Sequence, residues 1–302
     1  MLFPDIARYA QSAREITAAL LIVFNITILV VNIIIIVAVF RNPWLRRSFK
    51  HIFVVNLAVC DLIVGLFICP VYTHVTLHGE QGLPCSTINA LRFFTVSLVP
   101  SIATLALFVI NLDYIFKLTW YYYASAKHNA RIFFTLLLLP WIITFIIMIP
   151  LYFDATTSRR IDGSPLCVRA LKSYSASSVA FITMSFFPQA ILVFVSFIVA
   201  GVLYLFSRRY TGLDVAGERV RAPVDLVLAS FVTILFLVPF FILLSPVGKT
   251  GCDSRDECHA LNWVAIIGFW LYFAKSFTVP LCWLFCRDLR HGIVNIVNFS
   301  TR

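Results

Sequence analysis

From Thr17 to Phe40 no position holds Asp, Glu, Lys or Arg, and the same is true from Ser173 to Phe206. A barrel strand would show a short segment of alternating apolar and polar residues. These runs are continuous. In helical form about 20 apolar residues cover the ~30 Å of hydrocarbon in a bilayer. Inside lipid only helices and closed barrels satisfy every backbone group. The pattern therefore predicts membrane-crossing helices. Seven are expected, at about 17–40, 52–76, 89–115, 131–152, 175–206, 224–246 and 260–284; they are called spans 1 to 7. No long linker or low-complexity stretch divides the chain. The expected fold class is an all-α membrane protein, a seven-transmembrane helix bundle forming one domain over residues 1–302.

Composition agrees with the pattern. The chain is 61% hydrophobic and 13% charged, whereas soluble domains are about half apolar and a quarter charged. One water-soluble core cannot hide that much apolar surface. The first 16 residues carry charges of both signs and no apolar core. They do not read as a cleavable signal peptide, and span 1 is expected to direct its own insertion.

Charge sets the expected orientation. Loops on one side of the seven spans hold 14 Lys and Arg against 5 acids, a net +9; the other side holds 9 against 8, a net +1. The cationic side is expected in the cytoplasm, with the N-terminus outside and the C-terminus inside. The basic balance thus indicates membrane topology and contact with anionic lipid. Cations scattered over short loops give no footprint for nucleic acid.

Several motifs occur in order along the chain. Span 1 holds Asn32 in a β-branched run. Leu45-Arg46-Arg47 follows. Span 2 reads Asn56-Leu57-Ala58-Val59-Cys60-Asp61-Leu62. Trp141 in span 4 precedes Pro150 by nine residues. Pro188, Pro239 and Pro280 lie in spans 5, 6 and 7, and Phe285-Cys286-Arg287-Asp288-Leu289-Arg290 closes the series. Together these resemble the landmarks of the rhodopsin-like (class A) G-protein-coupled receptors over the whole chain. The resemblance implies a plasma-membrane receptor and no enzyme. It also implies a short amphipathic helix along the inner membrane face at about 286–296.

Three positions depart from that family's pattern. Asp113-Tyr114-Ile115 stands where the family has Asp-Arg-Tyr, an arginine that pairs with its neighbouring acid at rest and meets the G protein on activation. Phe236-Leu237-Val238-Pro239 lacks the tryptophan of the family's Cys-Trp-x-Pro, so Leu237 stands at the relay position. Val279-Pro280-Leu281-Cys282-Trp283 replaces Asn-Pro-x-x-Tyr. Tyrosine cannot supply arginine's charge. Two functions follow: a ligand-activated receptor coupling to a heterotrimeric G protein with atypical switches, or a non-coupling decoy or assembly partner of the same fold. A small transporter or channel is a third. It would need a polar path or inverted repeats, and neither is evident beyond Asp61 and Lys275.

Asp61 and Lys275 both fall at membrane depth, where a charge costs at least ~2.5–3.5 kcal/mol on insertion scales and is usually paired or functional. In the family the matching acid binds sodium with help from spans 3 and 7. The helper positions here map to Ala103, Lys275 and Val279. Two are apolar and one is a cation, so no sodium is expected at Asp61. The expectation is that the Lys275 ammonium takes that place and pairs with Asp61. The alternatives are that Lys275 turns away or is neutralised by desolvation. Phe273-Ala274-Lys275-Ser276 also resembles the retinal-binding segment of opsins, but Lys275 precedes Pro280 by five residues and the opsin lysine precedes its proline by seven. Two residues rotate a helix by about 200°. Retinal is therefore not expected, and no other cofactor is.

The resemblance implies a disulfide between Cys85, ahead of span 3, and Cys167, after span 4. Cys252 and Cys258 are spaced for a small ring in the third outer loop, with a zinc site as the alternative. Family ligands enter between the outer halves of spans 3, 5, 6 and 7. By count from Asp113, the position where amine receptors hold an aspartate is Val96, which offers an amine no partner. A small extracellular ligand other than a classical monoamine is expected. The facing candidates are Arg92, Phe93, Ser97, Gln189, Trp270 and Phe273. Arg92 either meets an acidic ligand or snorkels to the interface. Pro100 is expected to loosen span 3. His74 and His78 lie four apart at the outer end of span 2, a spacing open to metal or to no ligand at all.

Overall fold

The computed structural model describes residues 11–78, 83–119, 130–159, 168–171, 176–210, 214–215, 218–219, 222–244 and 255–300. Among them are seven helices long and apolar enough to cross a membrane. Span 1 is Gln11–Arg41. Span 2 is built from Phe49–Ile63, a π turn at Val64–Ile68 and Cys69–His78. Span 3 repeats that plan with Cys85–Phe93, a π turn at Phe94–Leu98 and Val99–Thr119. Spans 4 to 7 are Ala130–Ala155, Ala176–Tyr210, Val224–Leu244 and Arg255–Cys282. A 3-10 turn, Trp283–Phe285, leads into a surface helix, Arg287–Ser300. Two short antiparallel pairs lie in loops: β1 (Thr156–Arg159) with β2 (Val168–Leu171), and β3 (Asp214–Val215) with β4 (Glu218–Arg219). A hairpin lets loop backbone satisfy itself by cross-strand bonds, which apolar periodicity does not foretell. The loop carrying Arg46 and the surface helix mark the basic end of the bundle; the opposite end is the far end.

Both π turns have one cause. Pro70 and Pro100 follow them by two residues. A proline ring crowds the carbonyl four residues back and offers no N–H. The preceding turn widens instead, so that Cys69 N–H bonds Val64 O and Val99 N–H bonds Phe94 O, each five residues back. Such single-turn π bulges are the usual way a helix absorbs an extra residue. The loosening expected at Pro100 takes this form, and the same device recurs at Pro70. Gly65 lies within the first bulge, where a Cβ would stand 3.0 Å from both Ile28 Cγ2 and Leu29 Cδ2; spans 1 and 2 approach closely there, and a larger side chain would press on both.

Span 3 is the central post. Of its most apolar window, 78% is buried against 17% for span 4, whose outward side chains, such as Phe134, Ile142 and Ile146, are exposed to the membrane. The apolar interior divides into two clusters. The far-end cluster includes Ile28, Val64, Val99, Phe186, Leu237, Phe241 and Phe273. The basic-end cluster includes Ile35, Ala58, Ala103, Ala106, Ala229, Val279 and Trp283. Between them, on spans 1, 2, 3, 6 and 7, lie the buried polar residues Asn32, Asp61, Ser101, Thr233, Lys275 and Ser276. A polar layer thus crosses the bundle at mid-depth.

Interhelical hydrogen bonds pin this arrangement. Asn32 Nδ2 donates to Ser276 O (3.0 Å) as well as to Ile28 O in its own helix, which ties span 1 to span 7. Trp141 Nε1 donates to Asn56 Oδ1 (2.9 Å) and Asn56 Nδ2 to Leu137 O (3.3 Å), joining span 2 to span 4. Ser101 Oγ donates to Ser185 O (2.6 Å), joining span 3 to span 5. With no hydrophobic drive between helices in lipid, such bonds and close packing hold a bundle together.

Candidate functional site

Asp61 and Lys275 face each other across the polar layer. Lys275 Nζ lies 2.8 Å from Asp61 Oδ1, and the two residues are 3% and 1% exposed. Span 2 places Asp61 just before its π turn, and span 7 places Lys275 between Phe273 of the far-end cluster and Val279 of the basic-end cluster. Each charge is thereby neutralised within the bundle. Ala103 and Val279 are buried apolar members of the basic-end cluster, so neither supplies an oxygen ligand to a cation beside Asp61.

Toward the far end, the spans bring aromatic side chains together. Phe186 and Phe241 stack at 4.6 Å between spans 5 and 6. Phe240 meets Tyr272 at 4.9 Å, and Phe273 lies edge-on to Tyr72, Phe269 and Tyr272. Phe93 meets Tyr152 at 4.8 Å. Of the pocket candidates, Val96 and Phe273 belong to this cluster, and Phe93 and Trp270 pack against it. Ser97 is fully buried on span 3, and Gln189 on span 5 donates from Nε2 to Met184 O (2.7 Å). Ser97 Oγ, Gln189 Oε1, Trp270 Nε1 and Tyr272 OH are buried without a hydrogen-bond partner among the described residues. Buried polar atoms are rarely left so.

The side chains of Cys85, Arg92 and Cys258, and the whole of Cys167 and Cys252, lie outside the described residues. His74 and His78 place their rings 4.8 Å apart, but no group of three His, Cys, Asp or Glu suited to a metal occurs among the described residues.

The altered switch positions divide between the clusters. Leu237 is fully buried in the far-end cluster, one turn from Phe241, with Pro239 inside the same helix. Trp283, three residues past Pro280, fills the basic-end cluster and opens the 3-10 turn. Tyr114 packs against that cluster, and Asp113 beside it is half-buried.

Two polar contacts at the basic end escape motif reading. Lys50 Nζ and Asp225 Oδ2 form an ion pair at 2.5 Å between the first turns of spans 2 and 6. Asn111 Nδ2 donates to Ser196 Oγ (2.8 Å) and Ser230 Oγ (3.3 Å), joining spans 3, 5 and 6. The available signal was the scarcity of polar residues in apolar spans, since each must find a partner inside the bundle.

Comparison with known proteins points one way. The family model described as "7 transmembrane receptor (rhodopsin family)" matches residues 31–283. The chain is similar to melatonin receptor type 1B-B of Danio rerio, 24% identical over 295 residues that cover 94% of this chain and 82% of the relative. It is also similar to melatonin receptor type 1B of Rattus norvegicus, 29% identical over 124 residues that cover 40% of this chain and 33% of the relative. With a bundle of seven apolar helices and a family match over most of its length, the chain belongs to the rhodopsin family of seven-transmembrane receptors, multi-pass proteins of the plasma membrane that signal rather than catalyse.

Proposed function

We propose that this receptor binds a small, uncharged, aromatic ligand at the far end of its bundle. In this reading that end and the N-terminus are extracellular, and the basic end and the C-terminus face the cytoplasm. The signal passes to a heterotrimeric G protein at the basic end. The observation that supports the ligand class is a far-end group of side chains with aromatic faces and hydrogen-bonding atoms but no free charge among the described residues. Phe93, Phe273, Trp270 and Tyr272 offer ring contacts, Ser97, Gln189, Trp270 and Tyr272 offer polar atoms, and Asp61 and Lys275 satisfy one another. A ligand cation would leave water with nothing to meet it. A neutral ring meets edge and face contacts worth about 0.5–1.5 kcal/mol per pair beyond its area.

The test is a thermal-shift and radioligand panel on the purified chain, with uncharged aromatic amides, monoamines and carboxylates. Two relatives are named for melatonin, an uncharged indole amide, so melatonin heads the panel. An uncharged aromatic should raise the unfolding temperature, and Tyr272→Phe or Gln189→Leu should reduce that rise. Binding confined to amines or carboxylates would overturn the ligand class.

A second reading, a non-coupling decoy or assembly partner, is favoured by Tyr114 standing where the family has arginine. G-protein dissociation assays in cells, at matched surface expression, separate the two. Ligand-dependent dissociation of any G protein supports coupling; ligand binding at the surface without dissociation supports the partner role.

A further inference from the structure

The last stretch of span 2, Cys69–His78, carries two histidines one turn apart, His74 and His78. Cys69, Tyr72 and Thr76 set its inward face and are buried. His74 lies two residues from both Tyr72 and Thr76, about 200° round the helix. His74 and His78 are accordingly exposed on the outward side. Asp61, on the same span, stands in the mid-depth polar layer. At 1.5 Å per residue the two histidines come about 20 and 26 Å further along the helix. A bilayer centred on the polar layer has a hydrocarbon half-thickness of ~15 Å. Both imidazoles therefore reach the headgroup region, where water and dissolved ions meet them.

The two rings are spaced as a chelate requires. Their centroids are 4.8 Å apart and their planes differ by 32°. Side chains on a helix lean toward its N-terminus, which carries the His78 ring over His74. An ion ~2.1 Å from one nitrogen of each ring, with a bond angle of roughly 100° between them, places the ring centres about 5 Å apart. The backbone beneath is held as well. Helix ends fray, but the Arg14 guanidinium of span 1 donates to Thr76 O (3.2 Å) and to Leu77 O. The turn that bears both rings thus keeps its register.

The donor set selects the ion. Imidazole nitrogen suits zinc, copper and nickel, whereas calcium and magnesium take oxygen ligands. No third His, Cys, Asp or Glu joins the pair among the described residues. Two nitrogens then leave the remaining coordination positions to water or chloride, which makes an open, exchangeable site rather than a closed structural one.

We propose that His74 and His78 bind one divalent transition ion, zinc or copper, at the far end of span 2. The bridged turn begins two residues after Tyr72, whose ring lies edge-on to Phe269 and Phe273 of span 7. The ion stiffens this end of span 2 against span 7. The site does not depend on which ligand or G protein the receptor uses.

Titration of the full-length chain in phosphatidylcholine nanodiscs with copper(II) chloride or zinc(II) chloride alone tests this. Electron paramagnetic resonance of the copper form should show one ion with two nitrogen ligands. His74→Gln and His78→Gln should each leave one nitrogen and weaken binding at least roughly tenfold, since losing a ligand costs no less than the 10–100-fold of losing an outer-shell partner. His291→Gln, on the surface helix at the basic end, should leave the affinity unchanged. Zinc should raise the unfolding temperature of the wild type but not of His74→Gln/His78→Gln. Equal unfolding of the two in EDTA shows that the double variant folds. A one-nitrogen copper spectrum in the wild type, zinc stabilisation that survives in the double variant, or an equal rise with calcium or magnesium would each overturn the proposal.

Discussion

The Lys275 ammonium lies 2.8 Å from Asp61 Oδ1, inside the polar layer that parts two apolar clusters. Both partners are shielded from water, so the pair acts as a unit and either charge alone is a liability. Asp61→Asn or Lys275→Met should each lower stability by about 3–5 kcal/mol. The double variant should lose less than either single change. Thermal unfolding in detergent and surface expression in cells would check this, and simple additivity would show that the two charges are not coupled.

Sodium should have no effect on this receptor's resting state. The ammonium occupies the position beside Asp61, and Ala103 and Val279, at the family's helper positions, have no side-chain oxygen. Exchanging sodium for choline at constant ionic strength should leave the unfolding temperature and ligand affinity unchanged. Sodium dependence should emerge, if at all, in Lys275→Met. A sodium response in the wild-type protein would contradict the assignment.

Lys50 and Asp225 should couple the first turns of spans 2 and 6. The lysine side chain is 25% exposed and the aspartate side chain 6%, so solvent weakens but does not erase the attraction. A double-mutant cycle with Lys50→Met and Asp225→Asn should give a coupling of about 1 kcal/mol. The charge swap Lys50→Asp/Asp225→Lys should recover stability lost in either single reversal. A bimane fluorophore near the start of span 6 should report greater mobility in the single variants. Unchanged mobility would show that the pair does not restrain that helix.

Trp141→Phe keeps one aromatic ring of the indole and removes its N–H from Asn56 Oδ1, at the cost of some ring area. Interhelical hydrogen bonds in membranes average ~0.6 kcal/mol, with a maximum near 1.7 kcal/mol. The variant should lose about that much in a steric-trap or denaturant measurement. Asn56→Ala should lose slightly more, because Asn56 Nδ2 also reaches Leu137 O. A loss of several kcal/mol in Trp141→Phe would mean that packing, not the hydrogen bond, dominates there.

The seven-helix bundle was legible because uninterrupted apolar runs leave a membrane helix as the one economical structure. Asp61 and Lys275 stood out as the charges at membrane depth. Their distance, however, depends on how spans 2 and 7 rotate against each other, which one sequence does not specify. Pro100 announced a disturbance in span 3, yet whether a helix kinks or widens depends on its neighbours. The Asn111–Ser196–Ser230 contact was hidden for a similar reason. Each residue is an ordinary polar interruption within its own span, and only the packing of three spans makes them partners. Lys50 counted as one more loop cation until the fold brought Asp225 to it.

The two widened turns have a bearing on how this chain is lined up with its relatives. Each inserts one residue, and one residue is about 100° of rotation. Beyond Leu98 toward the far end, a count taken from Asp113 therefore falls on a neighbouring face of span 3. The residue oriented like the family's amine-contact position is then Thr95 rather than Val96, and both are buried. Alignments with relatives lacking these bulges need a single-residue gap between Phe94 and Leu98 and another between Val64 and Ile68. Without those gaps, ligand-contact residues at the far end would be matched to lipid-facing ones, and two receptors with similar binding surfaces would be scored as different.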